Sequence, residues 1–187
     1  MTVMAARTNS PTVMFYRPMI SIAIATPVLG GTVTDQYAHS LVQTIAHLSK
    51  TERKYTLATN PFDSCISKSR SSLVAWFMTT ECDKLIFIDS DIEWKPEDLV
   101  KLADASLPVV SGLYVKRHAD KDGHHPATFQ TISGQEPELL QNRYMEADLI
   151  PMGFVAISRF VFEEMFANYE HHKYAEPAFT AEQNKHC

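Results

Sequence analysis

The segment Leu85-Ile86-Phe87-Ile88-Asp89-Ser90-Asp91 limits most strongly what this chain can fold into. Four consecutive apolar residues, rich in Ile and Phe, predict a strand buried on both faces, as in a sheet covered by helices on either side. Two aspartates separated by one serine follow directly. In an extended segment the side chains at i and i+2 point the same way, so this spacing predicts that the carboxylates of Asp89 and Asp91 face one spot. Two hard oxygen donors suit Mg²⁺ or Mn²⁺, above all where substrate phosphates complete the shell. The carboxyl end of a strand in an open α/β sheet is also where ligands bind. Asp120-Lys121-Asp122 repeats the spacing without a strand before it and reads as solvated loop. The plain alternative at the first pair is that Asp89 caps the strand end while Asp91 faces water.

A chain of 187 residues, 45% hydrophobic and 21% charged, is expected to form one domain with a sizeable core. Seventeen Lys and Arg stand against 22 Asp and Glu, a formal charge of −5, which argues against a nucleic-acid partner needing a basic face. Cys65, Cys82 and Cys187 form neither a disulfide framework nor a metal-type pair, which favours a reducing, cytoplasmic setting. The apolar run Met19 to Val33 follows Arg17-Pro18 and is interrupted by Pro27 and Gly30-Gly31. It is too short to span a membrane and reads as strand and loop.

Residues 1–18 show no periodicity and are expected to form a flexible N-terminal arm ahead of a domain from 19 to 187. A strand is expected from Ile20 to Ala25, then a loop from Thr26 to Gly31. A helix follows from Thr34, its N-cap, to Ser49, with Tyr37, Leu41, Ile45 and Leu48 as its apolar stripe. Tyr55 to Thr59 reads as a strand and Asn60 to Ser64 as a turn. Serines 67, 69, 71 and 72 straddle the start of a helix ending near Thr79. After the central strand, Pro96, Glu97 and Asp98 open a helix that ends near Ala105, and Pro108 to Val115 reads as a strand. This alternation predicts an α/β fold with a mostly parallel sheet flanked by helices. The second half is expected to be smaller and mixed, with strands at Ala127–Ile132, Tyr144–Ile150 and Phe154–Ile157, and a helix capped by Ser158 carrying Phe162, Met165 and Phe166.

In that order, Ile22-Ala23-Ile24-Ala25-Thr26-Pro27, Ser69-Arg70, Leu85 to Asp91, Val110 to Tyr114 and Met152-Gly153-Phe154 together resemble a GT-A-type glycosyltransferase. The likeness is to the small, family-2-like kind of bacteria, phages and large algal viruses. It covers roughly Ile20 to Phe166. It implies a Rossmann-like GT-A domain with a nucleotide-binding half, 19–116, and an acceptor side, 117–187. Thr26 and Pro27 would lie against the nucleotide base, Arg70 near the nucleotide, and Asp89 and Asp91 on Mn²⁺ or Mg²⁺. Met152 and Gly153 would lie beneath the donor sugar. The donor would be a nucleoside-diphosphate sugar and the acceptor a glycan, protein or lipid hydroxyl. The family's inverting members place a catalytic Asp or Glu well after the Met-Gly-Phe segment, and no such signature stands before Cys187. Either the base is an unrecognised residue or the chain stops short of it.

Two other readings stay open. One is a nucleotide-sugar-binding domain of the same fold without the base. The other is a haloacid-dehalogenase-type phosphatase, which also has a strand ending Asp-x-Asp but wants Thr or Val where this chain has Glu93, and wants the motif on its first strand. Of the single residues, Arg70 could hold a phosphate through its planar fork or be a surface arginine. Trp94 could stack on a ligand or simply pack. His124-His125, His171-His172 and His186 read as solvated, the last three being outside candidates for a metal shell.

Overall fold

Every residue of the first strand, β1 (Ile22–Val28), is buried, and so is every residue of the strand leading to Asp89, β3 (Lys84–Ile88). Such strands need a partner on each edge and a helix layer on each face. The computed structural model describes residues 19–114, 144, 147 and 149–169. In it β1 lies between β2 (Tyr55–Pro61) and β3, parallel to both. The other edge of β3 is taken by β5 (Phe154–Ser158), which runs antiparallel and in turn pairs antiparallel with β4 (Val109–Ser111). The five-stranded order is β2-β1-β3-β5-β4.

The sheet is therefore mixed, which corrects the mostly parallel one expected from the alternation of strands and helices. β4 points the same way as β3 but does not touch it. The physical reason lies in what each candidate neighbour offers. Phe154–Ser158 is almost wholly buried and pairs five residues with β3, whereas β4 has three residues, one of them exposed. β4 is also shorter than the expected Pro108–Val115.

Alternation along the strands divides the core in two. Ile22, Ile24, Ile86, Ile88, Phe154 and Ala156 meet the helices α1 (Asp35–Leu48) and α3 (Pro96–Asp104). Ala23, Ala25, Leu85, Phe87, Val155 and Ile157 meet α2 (Ile66–Thr79) and α4 (Arg159–Asn168). Thr34 caps α1 as its sequence predicts, its hydroxyl accepting from the Tyr37 N–H. None of the described helices is long and apolar enough to cross a membrane. The strands expected at 127–132 and 144–150, the histidine pairs and Asp120-Asp122 lie wholly or largely outside the described residues.

β1 runs on through Thr26 and Pro27, which the sequence reading assigns to a loop. Its pairing with β3 ends at Ala25–Phe87, while its pairing with β2 continues to Val28–Pro61. Val28 turns its carbonyl to the β2 side, accepting from the Phe62 N–H. Pro27 therefore turns its missing N–H to the β3 side, where no ladder bond is lost. Beyond that point β1 and β3 part. Because the chain runs from β1 to β2 on one side and then crosses to β3 on the other, this gap is the switch point at which open α/β sheets bind ligands.

Candidate active site

Asp89 is the first residue past β3, at the open side of that gap. The following residues do not stay extended: the Ile92 N–H bonds back to the Asp89 carbonyl at 3.1 Å, closing a turn over Asp89-Ser90-Asp91-Ile92. This corrects the expectation that the pair shares a side because the segment is extended. The turn instead carries both residues, Asp89 half-buried and Asp91 exposed, and both carboxylates act to raise the Tyr114 hydroxyl. The turn is anchored from α1, since the Thr34 N–H donates to the Ser90 carbonyl at 2.9 Å.

Arg70 lies in the second turn of α2, and its Nη2 is 2.8 Å from Asp89 Oδ1. The Arg70 Nε is buried without a hydrogen-bond partner. A guanidinium with a buried, unspent donor beside a carboxylate is half of an anion site.

On the other side of Asp89 lies Gly153. The Asp89 N–H donates to the Gly153 carbonyl at 2.8 Å, and the Gly153 N–H donates to the Tyr114 hydroxyl at 3.1 Å. A Cβ on Gly153 would lie 2.8 Å from Asp89 Oδ2 and would also collide with the Tyr114 hydroxyl. Gly153 is not among the residues with positive φ, so the glycine serves close approach and not an unusual backbone. Burial pushes the Tyr114 hydroxyl above its ordinary range; Asp89 and Asp91 add to this, while the Gly153 hydrogen bond and Arg70 oppose it. Tyr114 thus stays protonated at neutral pH. It was readable in sequence only as part of a strand, and its one signal was a polar-tipped aromatic just past the Val110-to-Gly112 run.

Of the other expected site residues, Thr26 is 1% exposed and its hydroxyl is 2.6 Å from that of Tyr37. Pro27 is buried beside it. Thr26 is therefore packed against α1, its hydroxyl spent on Tyr37. Tyr37 meets Trp94 edge-on at 5.2 Å, and Trp94 is itself 5% exposed, its Nε1–H donating to Thr44 at 2.9 Å. Trp94 packs and offers no face to a ligand. Met152 is half-buried against the α2–α4 face and lines, with Arg70 and Phe87, a largely apolar groove of about 730 Å³.

Among the described residues no three His, Cys, Asp or Glu side chains cluster as a ready-made metal cage. Two carboxylates at one turn fit a different case. Mg²⁺-type ions are held through one or two carboxylates, with substrate phosphates and water supplying the rest. The donor set fits an ion that arrives with a phosphate ligand. Comparison with protein-family models, with curated proteins and with solved structures gives no match to this chain.

Proposed function

We propose that this chain binds a nucleoside-diphosphate sugar together with Mn²⁺ or Mg²⁺ and transfers the sugar to an acceptor hydroxyl, in the manner of the GT-A-type glycosyltransferases. The observation that carries this reading is the meeting of Asp89, Arg70 and Gly153 where β1 and β3 part, with Asp91 on the same turn as Asp89. Asp89 and Asp91 hold the ion beside the diphosphate. Arg70, in place against Asp89, turns its remaining donors to a phosphate oxygen. Gly153, itself buried, leaves room for Asp89 and Tyr114 to close together beside the sugar. Bound there, the ion would offset the negative charge developing on the departing nucleoside diphosphate.

A thermal-shift panel of nucleoside-diphosphate sugars, with and without Mn²⁺, tests the binding. A ligand at a hundredfold excess over its dissociation constant stabilises by about 2.7 kcal/mol, several degrees for a chain of this size. The reading requires a shift with some sugar nucleotide that Mn²⁺ enhances and Asp91→Asn abolishes. No shift across the panel would sink it. Release of nucleoside diphosphate in the presence of acceptor then separates a transferase from a domain that only binds.

A further inference from the structure

Phe62 stands at the exit of β2 in a backbone conformation that a bulky residue rarely adopts. Its φ is 65°, the only positive value among the described non-glycine residues. Such a conformation persists only where the surroundings impose it, and such positions gather at functional sites. Here the Phe62 N–H is held by the Val28 carbonyl at 3.1 Å. The ring lies on Gly31, where any Cβ would strike it, and Gly30 and Gly31 have φ of 72° and 75°. Burial is not what this strain serves. Phe62 is 78% exposed, the highest value among the large apolar side chains described. The Cε1–Cζ edge of the ring sits over Gly31, and the rest of the ring is left open to solvent.

The position along the sheet edge gives that open surface a use. Phe62 follows β2, Gly30 and Gly31 follow β1, and Asp89 follows β3, so all three leave the sheet at the same end. β2 and β3 are two strand spacings apart, roughly 10 Å. A ribose with its phosphates covers that span. We propose that the open part of the Phe62 ring is the stacking surface for the base of a nucleotide whose phosphates are held at Asp89, Asp91 and Arg70. The inference rests on the nucleoside-diphosphate reading above. Stacking engages the π-face common to all bases, so Phe62 contributes affinity with little discrimination between them.

The test is calorimetric titration of UDP, ADP and inorganic pyrophosphate, each with Mg²⁺, into the parent chain and into Phe62→Leu, Phe62→Trp and Phe62→Gly. Loss of the ring in the Leu variant should weaken UDP and ADP alike by roughly 5- to 150-fold, and leave pyrophosphate unchanged. The Trp variant should bind both nucleotides at least as well as the parent. Phe62→Gly relieves the backbone, so its melting temperature should not fall, yet it should lose the nucleotides as the Leu variant does. Unchanged nucleotide affinity in the Leu and Gly variants overturns the proposal, as does an equal loss for pyrophosphate. A parent that binds pyrophosphate no more weakly than UDP also overturns it, while leaving the phosphate site standing. A parent that binds none of the three removes the nucleotide reading and the stacking proposal together.

Discussion

Arg70 serves as counter-ion to Asp89, and the pairing gives each partner a distinct signature on substitution. The two side chains are 21% and 31% exposed, so their ion pair is worth about 1 kcal/mol or less to the fold. Arg70→Ala should therefore barely move the melting temperature. It should tighten binding of free Mn²⁺, since the carboxylates lose a competing cation. It should also weaken nucleoside diphosphate by on the order of 1.5–3 kcal/mol through the lost charge-assisted bond. Titrations of metal alone and nucleotide alone check both signs, and a loss for both ligands would count against the assignment. The aspartates should differ as well. Asp89→Asn removes the charge opposite Arg70 and should lower stability by about 1 kcal/mol or less, whereas Asp91→Asn leaves the Arg70–Asp89 pair intact. Gly153→Ala puts a methyl group against the Tyr114 hydroxyl and Asp89 Oδ2, an overpacking of roughly 1–3 kcal/mol. Because Asp89 is displaced, bare nucleoside diphosphate and sugar nucleotide should lose affinity together. Adding Tyr114→Phe should restore part of the melting temperature. That glycine's neighbours could not be read from sequence, since Asp89 and Tyr114 are brought to Gly153 only by the pairing of β5 with β3 on one edge and with β4 on the other.

At the scale of the element, α1 shows how far periodicity carries. Its start at Thr34 and its apolar stripe of Tyr37, Leu41, Ile45 and Leu48 were legible, but its most deeply buried positions include Ser40 and Thr44. Those hydroxyls are buried because they serve Trp94, Ser40 accepting from its backbone N–H and Thr44 from its ring. A period of apolar residues registers hydrophobic contacts and is blind to polar groups paired with a partner remote in sequence. Thr44→Val keeps the shape and orphans the indole N–H, so it should cost about 1–3 kcal/mol in denaturant unfolding. Tyr37 adds a pH dependence. Burial raises its hydroxyl above the ordinary phenol value of about 10, against the opposing bond to Thr26. Above about pH 10 the unfolded chain gives up this proton before the folded one does, so stability falls as pH rises through the window up to the raised value. Below it both states keep the proton and the group has no effect. Tyr114 is shifted the same way. Tyr37→Phe should flatten the alkaline limb of a melting-temperature profile measured from pH 8 to 11.

For the whole molecule, the layers and the position of the aspartates followed from the central apolar run, while the strand order did not. Nothing in Phe154-Val155-Ala156-Ile157 says which edge it will take; that choice belongs to β3, whose second edge has to be covered. The junction that results is held by Arg159, which donates to the carbonyls of Cys82, Phe77 and Thr80 and lies 4.4 Å over the Phe77 ring. A cation on the last carbonyls of α2 suits the helix dipole. Arg159→Met should cost roughly 1.5–3 kcal/mol in urea unfolding with an unchanged slope, and should spare nucleotide affinity. The register that sets Lys84 opposite Ser158 has a further effect during biosynthesis. A nascent chain leaves the ribosome with the β1–β3 half long before its closing strand, so an Ile- and Phe-bearing edge waits unpaired. Contacts of such sequence separation also slow folding. Refolding yield is thus expected to fall with protein concentration, and supplying a Phe154–Ser158 peptide in trans to the waiting intermediate should raise it.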